Sequence, residues 1–439
     1  MKRLPKIVSI GVGSVCFGLP ILGDLFSLAD RLRGSEVWLV DVDEPAVTRM
    51  AQVAARANDA LGRPFALRHT TARVEALPGA DFIILSAAVD RLAAWRLDWQ
   101  IPLRHGVRHV LGENGGPGGL SHALRSIPLA LDIARDAERL CPDALLIDFT
   151  DPVSRVCLAL SRRTHIRCVG LCRQIEEGYR LVNRVLGVVS PDGKSSSELS
   201  AEAQQRIHLT AAGLNHFTFI LDMRERETGR DLYPLFREKV KQMPPDFALM
   251  SRRLLDTYGL FCASGDWHAG EYVGFAHETI PLTGYDFDAH ERRSREQRAR
   301  LQAIARGGAP LDIRPSGQRA VQIIDAVIHD LNQAELAVNI RNDGCIGNLP
   351  AGAVVEAPGF VNAAGVHGAH VGELPAGLAA LMRREIDIQE LVVEAAVRGD
   401  RNAALQALLL DPHVHSYAQA RHMLDDLLRA HAKYLPQFA

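Results

Sequence analysis

Short apolar runs separated by longer amphipathic stretches dominate the first half of the chain. "KIVSIG" (6–11), "EVWLVD" (36–41), "DFIILS" (81–86), "RHVLG" (108–112), "ALLIDF" (144–149) and "RCVGLC" (167–172) read as strands. Helical patterns lie between most of them, such as "HALRSIPLALDIARDAERL" (122–140). The alternation predicts a doubly wound, mostly parallel sheet with helices on both faces. "VVSPDGKSSSELSAEAQ" (188–204), rich in Ser, Pro and Gly, marks the edge of that unit. A strand in "RIHLTAAGLNHFTFILDM" (206–223) opens a different region. From about 231 onward long helical patterns prevail, including 320–333 and 376–400.

Composition narrows the class without naming a chemistry. The 439 residues are 47% hydrophobic and 23% charged, ordinary for a soluble globular protein of two or three domains. A formal net charge of -2 gives no electrostatic case for nucleic acid or an anionic membrane surface. No stretch approaches the ~18 apolar residues of a membrane span, and the start reads as a first strand, not a signal peptide. Seven scattered cysteines do not form a disulfide framework pattern, so a cytoplasmic location is expected.

"IGVGSVCFG" follows the first strand and leads into a helical pattern. Gly11 and Gly13 would let backbone approach a pyrophosphate, Ser14 follows them, and a helix N-terminus favours the phosphate charge. Gly18 falls where close helix–sheet packing requires a missing side chain. Asp41 ends the second strand, where a carboxylate accepts from an adenosine ribose and repels a 2′-phosphate, so NAD is expected over NADP. The fold expected is therefore α/β, a Rossmann-like doubly wound parallel sheet followed by an α+β, helix-rich C-terminal domain. The boundary is placed between a dinucleotide-binding unit at 1–195 and a substrate- and metal-binding, oligomerising unit at 196–439.

Further segments gather chemistry at strand ends. "GENGGPGGLSHALRSIP" (112–128) carries five glycines, with Glu113 at its mouth. "DFTDPVSRV" (148–156) ends a strand at the edge where parallel sheets take ligands, and Cys172 ends the next one. "GLNHF" (213–217) supplies Asn215 and His216, and "GDWHAGEY" (265–272) gathers Asp266, His268 and Glu271. By residue type alone, Cys172 reads as a buried packing residue, a nucleophile or half of a metal site, with packing the usual role of a lone cysteine and a partner 44 residues away at His216 the lesser reading.

The ordered set "LVDVDE", "GENGGPGG…ALRSIP", "DFTDPVSRV", "GLC", "GLNHF", "DLYPLFRE", "ASGDWHAGEY" and "NLPAGAVVEAPGFV" resembles glycoside hydrolase family 4 over nearly the whole chain. The stretches "GLNHFTFI", "TYGLFCASGDWHAGEY" and "LQALLLDPHV" look closest to the branch with α-galacturonidases and α-galactosidases. The resemblance implies hydrolysis through redox chemistry, an exception to the two-carboxylate scheme. NAD+ takes hydride from C3, a base removes the acidified C2 proton, the C1 group is eliminated, water adds, and NADH reduces C3 again. A divalent metal, typically Mn2+, polarises the C2 and C3 oxygens.

Carried over residue by residue, Cys172 and His216 match the family's metal ligands, and Asp266 matches the base at C2. Asn215 and His268 fall among the sugar-contacting positions, and Glu113 lies in the family's ligand loop with a catalytic assignment. Two residues depart from the pattern. Asp151 stands where the family usually has asparagine, placing an extra carboxylate near the C2 and C3 hydroxyls. Arg173 stands where relatives carry His, Asp or Asn for leaving-group protonation; a guanidinium cannot be a general acid near neutral pH, but grips a carboxylate bidentately. The expected activity is thus α-glycoside hydrolysis, with a uronide as one substrate, in a homodimer or homotetramer. The alternatives are an NAD-dependent sugar or hydroxy-acid dehydrogenase and a non-catalytic NAD- or sugar-binding protein.

Overall fold

The computed structural model describes residues 4–14, 17–190, 192, 194–281, 285–311 and 313–439. Six strands pair in parallel: β1 (Lys6–Ile10), β2 (Glu36–Val40), β3 (Ala66–Thr70), β4 (Phe82–Leu85), β5 (Leu145–Asp148) and β6 (Arg167–Gly170). Their order, β3-β2-β1-β4-β5-β6, is the doubly wound arrangement expected from the alternating runs. Successive β1 residues serve opposite layers. Val8 packs with Leu124 and Ile127 of the helix Gly116–Leu140 on one face. Ile7 packs with Ile21 and Leu25 of the helix Gly18–Ser27 on the other.

The same sheet continues into the second half of the chain. The hairpin β7 (Ile207–Leu214) and β8 (Phe217–Glu225), the short β9 (Phe261–Cys262), and the strands β10 (Gln333–Arg341), β11 (Val354–Asn362) and β12 (Gly365–Gly368) are antiparallel to their neighbours. Beyond β6 the order runs β10-β11-β7-β8-β9, with β12 on β11. One lateral row crosses the junction. Gly170 of β6 faces Asn339 of β10, Asn339 faces Glu356 of β11, and Glu356 faces Gly213 of β7. The single strand expected in 206–223 is thus a hairpin turning at Asn215 and His216.

Two elements differ from the reading of the apolar runs. "RHVLG" (108–112) is not a strand. The indole N–H groups of Trp95 and Trp99 take the carbonyls of Leu111 and Val110, each at 2.9 Å, and occupy acceptors that a neighbouring strand would need. Conversely β3, "ALRHT", is a strand without an apolar run, because it lies at the sheet edge and is mostly exposed. The expected helices at 320–333 and 376–400 form as Ala320–His329 and Ala376–Arg398.

A buried charge cluster ties the helices Arg91–Arg104 and Gly116–Leu140 to the end of the chain. Asp98 accepts two bonds from Arg125, at 3.0 and 2.5 Å, and His431 Nε2 lies 2.9 Å away. All three side chains are buried, so the geometry must offset a large desolvation cost. Removing Asp98 leaves Arg125 charged and uncompensated. Asp98→Ala is expected to lose about 3–5 kcal/mol in urea unfolding. Asp132→Ala, which breaks the exposed pair with Arg135, is expected to leave the midpoint nearly unchanged.

Candidate active site

The glycine turn after β1 is built for close approach. A Cβ on Gly11, whose φ is +89°, would lie 1.9 Å from the Ser86 carbonyl oxygen, and one on Gly18 would lie 2.0 Å from that of Val12. Gly13 donates its N–H to Asp41 Oδ2 at 2.7 Å, and a Cβ there would strike the same carboxylate. The Ser14 carbonyl oxygen accepts the Gly18 N–H at 2.8 Å, and the N-cap residue Phe17 makes no side-chain cap bond to the helix that follows. Gly11, Gly13, Ser14 and Asp41 therefore surround a backbone cradle at a helix N-terminus, which fits a dinucleotide pyrophosphate and ribose.

Elsewhere in the sheet, beyond β6 and at the β7–β8 turn, Cys172 and His216 come together although 44 positions separate them. Cys172 Sγ lies 3.2 Å from His216 Nε2. His216 occupies the tip of the β7–β8 hairpin with φ +63°, a conformation rare outside glycine and costly unless the surroundings enforce it. Burial, followed by the charges of Glu356 and Asp151, pushes the Cys172 thiol up. Burial and the adjacent His268 hold His216 well below the usual imidazole range, so it is a neutral ligand-type imidazole.

The helix Gly265–Ala269 brings the third group. The His268 and His216 ring centroids are 4.2 Å apart, and ligand atoms of His216, His268 and Glu271 all lie within 4.8 Å of one another. Among the described residues, the buried atoms His216 Nδ1, His268 Nδ1 and Glu271 Oε2 have no hydrogen-bond partner; the last two are 3.9 Å apart. His216 is shared between the Cys172 sulfur and the group with His268 and Glu271, and thiol, imidazole and carboxylate donors of this kind suit a borderline divalent metal. Burial lowers the basicity of His268, but Glu271, Glu113 and Asp151 outweigh it and raise the group.

The glycine-rich stretch 112–119, a loop running into the helix Gly116–Leu140, delivers Glu113, but its glycines serve chain-on-chain packing. A Cβ on Gly115 would lie 2.7 Å from the Glu271 carbonyl oxygen, and one on Gly118 2.5 Å from that of Gly112. Glu271 Oε1 accepts the N–H groups of Glu113 and Asn114, at 2.6 and 3.0 Å, and so pins the loop. Glu113 is ion-paired with Arg91, which also approaches Asp151 at 3.6 Å. Burial alone would raise the Glu113 carboxyl, but Arg91, His268 and His216 hold it at about 2. Asp151 is pushed up to about 7 by burial and then by the Glu113 charge.

Three residues make contacts that their motifs did not show. Asp266 caps the helix Leu249–Tyr258: Oδ2 accepts the Met250 N–H at 3.0 Å, and Oδ1 accepts Ser251 N–H and Oγ–H at 2.9 and 2.7 Å. Arg173 spreads its fork over Glu176, three residues on, so its charge is matched within the protein. Asn215 donates to Glu356 at 2.8 Å, away from the cleft. The cleft itself, about 570 Å³, is lined by Cys172, Arg173, Glu176, Arg180, Asp266, Trp267 and His268 among others. Arg91 and Glu356 were not singled out from the sequence. Arg91 carries no motif signal, whereas a lone carboxylate inside the apolar run "VVEAPGFV" marks Glu356 as a buried polar group that needs partners.

A dinucleotide-type cradle and a sulfur–imidazole pair on one sheet edge define the class, an α/β enzyme with candidate cofactor and metal sites side by side. The family model described as "Family 4 glycosyl hydrolase" matches residues 6–188, and that described as "Family 4 glycosyl hydrolase C-terminal domain" matches 211–414. The chain belongs to family 4 of the glycosyl hydrolases. It is 36% identical to an "Alpha-glucosidase" of Erwinia rhapontici over 92% of this chain and 93% of the relative. An "Alpha-galactosidase" of Bacillus subtilis is 30% identical over 99% of this chain and 100% of that one. A 6-phospho-alpha-glucosidase from gut microorganisms, solved with NAD and Mn2+, superposes with a TM-score of 0.83 at 21% identity over 100% of both chains, a likeness of fold.

The capping contacts give Asp266 a structural share besides any chemical one. Asp266→Ala is expected to lose about 0.5–2 kcal/mol of stability together with its turnover. His268→Ala, which removes no satisfied hydrogen bond, is expected to lose turnover at nearly constant melting temperature. Paired thermal melts and rates check both.

Proposed function

We propose that this family 4 enzyme hydrolyses an α-glycoside of a neutral sugar through transient oxidation at C3, proton removal at C2, elimination at C1 and addition of water. The observation that carries the reading is the 3.2 Å approach of Cys172 Sγ to His216 Nε2, on the same sheet edge as the glycine cradle. NAD in the cradle supplies the acceptance and return of hydride, and a divalent ion such as Mn2+ at Cys172 and His216 supplies charge stabilisation at the C2 and C3 oxygens. The relatives with α-glycosidase names and the solved structure with NAD and Mn2+ support the same assignment.

The chain's own groups divide the remaining work. Asp151, with a carboxyl near 7, is suited to take the C3 hydroxyl proton near neutral pH. Glu113, kept ionised by Arg91, orients hydroxyls beside it. Asp266 holds the family's base position; on this reading substrate draws its carboxylate from the helix cap, since catalytic contacts tighten only in the loaded complex. His268 hydrogen-bonds the sugar over the His216 ring. Asn215 acts from behind Cys172, not on the sugar. Arg173, matched by Glu176, and the carboxylates at 113 and 151 favour a neutral ring over a uronate.

With the boundary at 195/196, the proposed roles give the dinucleotide to the first part, while sugar and metal draw on both: Glu113, Asp151 and Cys172 from the first, His216, Asp266 and His268 from the second. Among the described residues no helix is long and apolar enough to cross a membrane, and six cysteines are free. These facts support a cytoplasmic enzyme. A homodimer or homotetramer is supported by exposed apolar side chains at Leu409, Leu410 and Tyr417, and light scattering checks it.

Hydrolysis of aryl and disaccharide α- and β-glycosides in D2O, with NAD+, Mn2+ and a thiol, tests the mechanism. Deuterium at C2 of the product, loss of turnover with EDTA and no net NADH are the expected outcome. Accumulating NADH without aglycone release would make the protein a dehydrogenase. For the cofactor, Asp41→Ala is expected to weaken NAD+ and narrow its advantage over NADP+, measured by calorimetric titration.

A further inference from the structure

Glu356 is 1% exposed on β11, in the lateral row that joins β6 to β7. Its Oε2 accepts from the side-chain amides of Asn215 at 2.8 Å and Asn339 at 3.1 Å, and its Oε1 lies 2.7 Å from Thr218 Oγ1. None of these partners carries a positive charge. A buried carboxylate held only by neutral groups is costly unless a cation lies close by.

An Asn side chain has two N–H donors on one nitrogen. Asn215 gives one to Glu356, and Thr218 meets its other oxygen, so Glu356 holds both flanks of His216, whose Nε2 lies 3.2 Å from Cys172 Sγ. Cys172 lies two residues beyond Gly170, and Asn215 two beyond Gly213, both members of the row that holds Glu356.

We infer that Glu356 tunes the metal-binding pair from the hairpin that carries His216: held by the residues on either side of that histidine, it supplies a buried negative charge that a divalent ion at Cys172 and His216 answers. The inference rests on the proposed ligand role of that pair. Outer groups of this kind typically change metal affinity by about 10- to 100-fold.

Three variants test it, with Mn2+ affinity measured by EPR of the free ion in the absence of substrate, and thermal melting in parallel. Glu356→Gln keeps the shape, since its oxygen can accept both amides while its NH2 donates to Thr218, whose hydroxyl already lies 3.0 Å from the Leu214 carbonyl oxygen. Glu356→Asp keeps the charge and shortens the reach. The expected order of Mn2+ affinity is native, then E356D, then E356Q, with E356Q weaker than native by about 10-fold or more. A packing role gives the reverse order for the two variants, because the isosteric Gln disturbs packing least, and that order would overturn the inference. Equal affinity in all three proteins would overturn it as well. Cys172→Ser separates the underlying reading: if it leaves Mn2+ binding intact, the ligand assignment fails and Glu356 with it. An unchanged E356Q beside a weakened C172S rejects the role of Glu356 alone.

Discussion

The insertion of β10 and β11 between β6 and β7 is the constraint on which the site depends. In a parallel sheet, ligands collect beyond the carboxyl ends of the strands. Here that edge is extended by strands arriving from residues 333–362, and the row Gly170–Asn339–Glu356–Gly213 sets the spacing across them. Glycine at position 170 is required by this packing, because a Cβ there would lie 2.6 Å from Cys157 Sγ and 3.0 Å from Asn339 Cβ. A side chain at that point would push β10 outward. Cys172 and His216 would then separate, since each leaves the sheet two or three residues past a member of the row.

Around that pair the electrostatics are arranged for a cation and for hydroxyl chemistry. Glu113, Asp151 and Glu271 crowd one wall, with Arg91 reaching the first two. The close Arg91 guanidinium keeps Glu113 ionised at about 2 against its burial, while burial and then the Glu113 charge raise Asp151 to about 7. Two acids of unlike protonation side by side are a recurrent means of assigning base and orienting roles at a fixed pH. The imidazoles divide as well, with His216 lowered by burial and by His268, and His268 raised by the surrounding acids against its burial.

Legibility from sequence followed the range of the interaction. Gly11, Gly13, Gly18 and Asp41 were readable because strand, turn and helix start form one local unit, and the close contacts at each glycine answer to local geometry. The segment 108–112 misled because apolarity cannot tell a strand from a loop whose carbonyls are taken by tryptophan indoles. Arg173 read as a free fork, since the ion pair to Glu176 depends on the helix Gln174–Leu186 starting at that residue. Asp266 read as a bare carboxylate because its three donors lie 15 and 16 residues earlier, at the start of another helix.

By itself, then, the sequence determined the alternation of elements, the dinucleotide cradle and the residue types gathered at the strand ends. These depend on hydrophobic period and on backbone conformations that neighbouring residues impose. Tertiary structure alone decided which of those ends meet: the Cys172–His216 contact, the charge sharing among Arg91, Glu113 and Asp151, and the buried carboxylate of Glu356 behind them. Arg91 meets Glu113 across 22 residues, Cys172 meets His216 across 44, and Glu356 meets Asn215 across 141. Strand order and register create such contacts, and no local pattern of residues encodes them.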